Sequence, residues 1–253
     1  MACMGAFVLT NPKKLVRYLH TGTRRVSGRE GKGSWTMKTH ILCLGDSNTH
    51  GYCADPADCA DGGTRFNEEE RWTCLLQTAL GPGVLVTEEG LSGRTTVFPD
   101  PLQEGADALC VLSPLLKSHE AIDLLIVMLG TNDVKERFHA SAACIALGME
   151  RLLRTAQHLD CWGNHAPNIL LVCPPPIRPE LALADCAGTM GRGCIEKSRE
   201  LPVHYEKTAR LLGVHYLNAA ECEFNAVDGM HLTRKGHAQL AALLARTVPG
   251  LLP

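Results

Sequence analysis

The chain has 253 residues, 45% of them hydrophobic and 21% charged, with a formal net charge of −2. Those proportions exclude a disordered chain or a fibre, no apolar run approaches the ~20 residues that span a bilayer, and a near-neutral balance gives no global attraction to nucleic acid. Twelve cysteines are too sparse here for a disulfide scaffold, and a chain this long builds a core without such staples.

Charge is unevenly spread along the chain. Residues 1–36 hold seven basic side chains (Lys13, Lys14, Arg17, Arg24, Arg25, Arg29 and Lys32) against one acid, Glu30, while the remainder holds 18 Lys and Arg against 26 Asp and Glu. The apolar stretch Met4 to Leu9 is too short for a signal-peptide core and precedes the basic residues. The head therefore reads as a basic extension, flexible or non-native, with Met37 as the natural start. A transit peptide and an ordered arm used in assembly are the alternatives. Residues 37–253 read as one domain. Without an export signal, the thiols are expected to be reduced and the location cytoplasmic.

The body alternates strands and helices. His40–Leu44 is a short apolar run ending at Gly45 and reads as a buried strand. Residues 71–80 have apolar side chains at helical spacing, and Gly81-Pro82-Gly83 stops them. A strand follows at Val84–Thr87, then a helix over Asp107–His119 that Pro114 is expected to interrupt. Leu124–Leu129 is a third strand and Ser141–Leu159 a long amphipathic helix. Asn168–Cys173 is a fourth strand, closed by three prolines. Lys197–Leu212 is helical with a kink expected at Pro202, Val214–Asn218 is a fifth strand, and Thr233–Val248 a last helix with Thr233 as its cap. Five apolar strands between helices imply one α/β domain with a parallel sheet covered on both faces. Cys43, Cys74, Cys110, Cys144 and Cys173 sit in apolar runs and read as core residues. The spacings Cys53/Cys59 and Cys186/Cys194 do not match zinc-ligand pairs, so no metal is expected.

Sites in such sheets form at the carboxyl ends of strands. Four segments there carry chemistry: Gly45-Asp46-Ser47-Asn48-Thr49-His50-Gly51-Tyr52, Glu89-Gly90-Leu91-Ser92-Gly93-Arg94-Thr95-Thr96, Gly130-Thr131-Asn132-Asp133 and Asp228-Gly229-Met230-His231. A serine hydroxyl is a weak nucleophile until a base takes its proton. A neutral histidine does so when an acid fixes its tautomer. The oxyanion that follows needs donors, and the Ser47 and Gly93 amides and the Asn132 carboxamide are candidates. Each residue has a plainer reading. Ser47 and His231 are plausible helix caps, and Gly93 and the Asn132-Asp133 pair plausible turn residues. Asp46 reads as a loop-ordering acceptor and Asp133 as structural. His50 is a rival base or a pocket wall. Trp72 and Arg94 are pocket candidates whose plainer readings are a core residue and a structural ion pair. Glu68-Glu69-Glu70 reads as a solvated face or a helix first turn.

In order along residues 41–245, the four blocks resemble those of the SGNH, or GDSL-like, hydrolase superfamily. The segments Glu88–Thr96, Arg71-Trp72-Thr73, Met128–Asp133 and Pro174-Pro175-Pro176 are most similar to its bacterial arylesterase/acetyltransferase branch. The resemblance implies a three-layer α/β/α sandwich around a five-stranded parallel sheet, the flavodoxin-like SGNH fold. It implies Ser47 as nucleophile, His231 as base, Asp228 as its orienter, and an oxyanion hole from Ser47, Gly93 and Asn132. No cofactor is implied. The expected partners are a small acyl ester, an alcohol as acyl acceptor, and further copies of the chain in a homo-oligomer. Acetyl transfer to alcohols or peroxide occurs in the branch. Carbohydrate O-deacetylase, thioesterase or lysophospholipase, and a non-catalytic binding module are the alternatives. Two departures stand out. Asn48 occupies the position where the family name expects leucine, and the chemistry is not expected to depend on it. The segment Pro179–Cys194 has no clear counterpart and is expected to shape the entrance or an oligomer contact.

Overall fold

The computed structural model describes residues 37–252. The reading of residues 1–36 as an extension lies outside the described residues. Five strands run β1 (Thr39–Gly45), β2 (Val84–Gly90), β3 (Leu124–Met128), β4 (Ile169–Cys173) and β5 (His215–Asn218). They form one wholly parallel sheet in the order β2-β1-β3-β4-β5. Every residue of β3 and β4 is buried, as strands covered on both faces require.

The alternation of side chains in these strands builds two cores. Leu42, Leu44, Leu125, Val127, Ile169 and Leu171 face one way, packed against helices α3 (Ala108–Ser118), α4 (Ala142–Gln157) and α6 (Cys194–Leu212). Ile41, Cys43, Leu124, Ile126, Leu170 and Val172 face the other, against α2 (Trp72–Leu80) and α7 (Arg234–Thr247). Two short helices complete the set, α1 (Ser47–His50) after β1 and α5 (Ala187–Met190) before α6. Thr233 Oγ1 accepts the Gly236 amide, the cap the sequence suggests, and Ser141 Oγ caps α4 by accepting the Cys144 amide.

Several expectations need correction. Helix α3 continues through Pro114, and the carbonyl that proline deprives of a donor belongs to an exposed residue, Cys110. Helix α6 begins at Cys194, earlier than expected, because Gly193 enters it at φ +73°. Of the five supposed core cysteines, Cys43 and Cys173 are buried, Cys74 is half-buried, and Cys110 and Cys144 are exposed on the outer faces of α3 and α4. Apolar neighbours in a helix do not fix which face a residue takes. Glu70 is not a solvated acid. It is buried, receives the Ala60 amide at 3.0 Å, and pairs with Arg234 Nε at 2.8 Å. That pair ties the 53–66 loop, with its own small core of Cys53, Cys59 and Phe66, to the start of α7. No helix among the described residues is long and apolar enough to cross a membrane.

Candidate active site

Strand β1 ends in a tight elbow. The Asp46 carboxylate caps α1 by accepting the Asn48 amide at 2.9 Å, which sets Ser47 as the first residue of the helix. Gly45 and Gly90 face each other across the β1–β2 ladder. A Cβ on Gly45 would lie 2.0 Å from Thr49 Oγ1, and one on Gly90 would lie 2.1 Å from the His50 nitrogen. Only glycine lets α1 fold back this closely over the strand ends.

The turn before α7 meets the elbow. His231 Nε2 lies 2.8 Å from Ser47 Oγ, and His231 Nδ1 lies 2.6 Å from Asp228 Oδ2. A carboxylate only accepts, so Nδ1 carries the proton, and Nε2 is left to accept from the serine hydroxyl. Asp228 Oδ1 accepts the amides of Met230 (3.0 Å) and His231 (3.2 Å) and the Asn225 carboxamide (3.0 Å). Burial works to raise this carboxyl. The His231 hydrogen bond and charge, with the Met230 and Asn225 donors, outweigh it and hold the group below the usual carboxylate range. All three residues are buried. Their side chains are packed by protein on all but the cavity side.

These groups open on a cavity of about 410 Å³ lined by Ser47, Gly93, Asn132, Asp228 and His231 together. Gly93 has φ +84°, and Asn132 Nδ2 donates to the Arg94 carbonyl at 3.1 Å, which holds the carboxamide in place. The second hydrogen of that nitrogen is left for a ligand. Lys135 also lines the cavity. Burial lowers its pKa against the pull of Asp100, 3.4 Å away. The segment 179–194 contributes Ala184, Asp185, Cys186, Thr189 and Met190 to the cavity lining.

The GDSL-like lipase/acylhydrolase family model matches residues 43–239. The chain belongs to this family. As a member it is a hydrolase of ester bonds. No curated protein matches this acylhydrolase in sequence. Two solved structures resemble it closely. A carbohydrate acetylesterase from Sinorhizobium meliloti is 34% identical, with a TM-score of 0.76 over 85% of this chain and 100% of that one. The inhibitor-bound aryl esterase of M. smegmatis is 34% identical, with a TM-score of 0.74 over 85% of this chain and 100% of that one. A lipase/acylhydrolase from Enterococcus faecalis, at 20% identity and a TM-score of 0.58, shares the fold.

Three expected pocket residues of the acylhydrolase do not line the cavity. Trp72 is buried in the α2–α7 core, with Nε1 donating to the Asn48 carbonyl at 3.1 Å. Arg94 is buried and donates to the backbone carbonyls of Gly45 (3.0 Å) and Glu89, so its partners are carbonyls where an ion pair was expected. His50 is half-buried at the end of α1 and makes no hydrogen bond to Ser47; burial and the charges of Arg65 and Arg71 lower its basicity. Asp46 is the acceptor the sequence suggests, and it, where Ser47 was the expected cap, caps α1; Asp133 accepts the Thr96 amide and hydroxyl at 2.9 and 2.5 Å. Burial pushes both carboxyls up to about 6. Sequence reasoning passed over Asn225, which braces the 225–231 turn, and Tyr52, whose ring packs 4.6 Å from that of His231. A serine block that also carries an aromatic residue five positions on was the only signal for the latter.

Proposed function

We propose that the chain is a serine esterase of small acyl esters, acetyl and aryl esters above all, working through an acyl-enzyme. The observation that carries this reading is the unbroken hydrogen-bonded chain from Ser47 through His231 to Asp228 at the edge of one cavity. Ser47 Oγ attacks the ester carbonyl while its proton passes to His231 Nε2. Asp228 holds the imidazole and stabilises the cation. The Ser47 and Gly93 amides and the Asn132 carboxamide receive the oxyanion. The intermediate then collapses, the alkoxide leaves with the proton from His231, and water attacks the acyl-Ser47 by the same path in reverse. No cofactor enters these steps. An alcohol or peroxide in place of water makes the protein a transferase or perhydrolase. The test is a profile of acyl chains and acceptors, with hydrolysis and transfer scored separately, and labelling of Ser47 by a fluorophosphonate. Fast turnover of phenyl acetate with labelling at Ser47 is the expected result. A folded protein that neither turns over nor labels leaves only a binding module.

A second reading, carbohydrate O-deacetylase, is favoured by the acetylesterase relative at 34% identity and by the polar wall of Ser92, Thr131, Lys135, Asp185 and Thr189. Comparing acetylated sugars with aryl acetates separates the two. A preference for long chains would instead indicate a thioesterase or lysophospholipase. The homo-oligomer implied by the family resemblance is tested by light scattering of the full chain.

A further inference from the structure

We propose that Asn48 is a positioning residue for proton transfer from Ser47 to His231. The proposal rests on the reading of those two residues as nucleophile and base.

Every polar group of Asn48 is engaged, and the residue is 1% exposed. Its amide donates to Asp46 Oδ1 at 2.9 Å, and its carbonyl accepts Trp72 Nε1 at 3.1 Å. Its side chain reaches across to the other half of the site. Nδ2 donates to the Met230 carbonyl at 3.1 Å, and Oδ1 accepts the Leu232 amide at 2.9 Å. Those two backbone groups flank His231 on either side. A single carboxamide, carried by the residue next to Ser47, therefore grips the main chain before and after the base.

Nothing else does this by hydrogen bonding. The 225–231 turn is braced internally, by Asn225 and by Asp228 Oδ1, which fixes the carboxylate relative to the imidazole. None of those bonds reaches the elbow. Among the described residues, the hydrogen bonds between the elbow (46–50) and the turn (225–232) are the Ser47–His231 contact and the two from Asn48. The catalytic contact cannot hold its own geometry, because it is consumed at each proton transfer. The two bonds from Asn48 persist throughout. A leucine here has similar bulk and no polar atom. It would leave the buried Leu232 amide and the Met230 carbonyl unpaired, and the turn free to drift from the elbow. An aspartate keeps the acceptor for Leu232 but sets a second carboxylate oxygen against the Met230 carbonyl.

The experiment compares the wild-type full chain with Asn48→Leu and Asn48→Asp, each checked for folding by circular dichroism. The readouts are kcat and KM for phenyl acetate, the rate of Ser47 labelling by a fluorophosphonate, and the low-field proton NMR signal of His231 Nδ1–H. The expected result for Asn48→Leu is a fall of about 10–100-fold in kcat and in labelling rate, since sub-ångström to ångström misplacement of a base costs on this scale. KM should stay nearly constant, because ground-state binding is untouched. The Nδ1–H signal should persist, because the Asp228–His231 pair is braced separately. Asn48→Asp should fall between. Wild-type kcat and labelling in either folded variant overturn the role and leave the esterase reading standing. Loss of the Nδ1–H signal along with activity, or failure of both variants to fold, assigns Asn48 to holding the fold and overturns the positioning role. A wild type with neither turnover nor labelling overturns the esterase reading itself, and this role with it.

Discussion

His231 Nε2 and Ser47 Oγ meet at 2.8 Å although 184 positions of chain separate them. The meeting follows from the parallel sheet. β1 delivers Ser47 at its carboxyl end, and the chain returns beside the same end before α7. Ser47→Ala should abolish hydrolysis of short aryl esters while the melting temperature stays near wild type, because the side chain contributes one hydroxyl to a site already braced by other bonds. His231→Ala should behave alike. Asp228→Asn should cost on the order of 10²–10⁴ in kcat by stabilising the wrong tautomer. His50→Ala should retain most activity. Retention in His231→Ala with loss in His50→Ala would move the base to His50.

The proposed oxyanion donors, Gly93 and Asn132, carry a separate prediction. Asn132→Ala removes a carboxamide that is already held by the Arg94 carbonyl, so no reorganisation offsets its loss. The expected fall in kcat is about 10²–10³, with KM little changed. Gly93→Ala should do as much or more. Its φ of +84° strains any side chain, and the added Cβ would sit 2.0 Å from Gln103 Oε1, which pushes the loop away from the cavity. Steady-state kinetics on phenyl acetate decide it. A rise in KM with kcat unchanged would place these groups in ground-state recognition instead.

The fold was largely legible because strands buried on both faces announce themselves as unbroken apolar runs, as Leu124–Met128 and Ile169–Cys173 do. The catalytic candidates were legible because each stands just past such a run or just before a helix. What failed was inference from adjacency in sequence. His50, Trp72 and Arg94 lie within or beside the motifs, yet α1 turns His50 away from the cavity, α2 buries Trp72, and Arg94 spends its guanidinium on the carbonyls of Gly45 and Glu89. Asn48 and Asn225 were missed for the opposite reason. An asparagine carries no signal of its own until the fold shows what its two ends touch. The passage of α3 through Pro114 and the start of α6 just after Gly193 turn on local backbone geometry that propensity does not resolve.

Trp72 tests the corrected assignment directly. Trp72→Phe keeps most of the apolar bulk and removes the Nε1–H donor to the Asn48 carbonyl. The expected cost is about 1–3 kcal/mol of stability, the penalty for stranding a buried acceptor. KM for phenyl acetate should remain that of wild type. Denaturant unfolding and steady-state kinetics on the same preparation measure both. A several-fold change in KM with unaltered stability would return Trp72 to the substrate pocket.

His237 sets the acid limit of stability. It is fully buried, accepts the Trp72 amide at Nδ1 from 3.2 Å, and packs edge-on against Phe66 at 4.8 Å. Burial, reinforced by the charges of Arg71 and His231, pushes its pKa from 6.5 down to about 3. A depressed folded value means that the stability it contributes is whole above the unfolded pKa. As pH falls from 6.5 toward 3, the unfolded chain takes up a proton that the folded chain refuses, and stability drops by roughly 1.4 kcal/mol per pH unit. Asp46 and Asp133 act in the opposite sense. Burial raises both to about 6, so the folded chain holds their protons more tightly, and stability rises as pH falls from about 6 toward 4. The difference between wild type and His237→Gln isolates the histidine. Between pH 6.5 and 5 the wild type should lose about 2 kcal/mol relative to the variant, measured by urea unfolding at each pH. The glutamine amide can still accept from Trp72, so the comparison changes titration more than packing. Parallel profiles would mean that His237 gains its proton as readily in the folded chain as in the unfolded one.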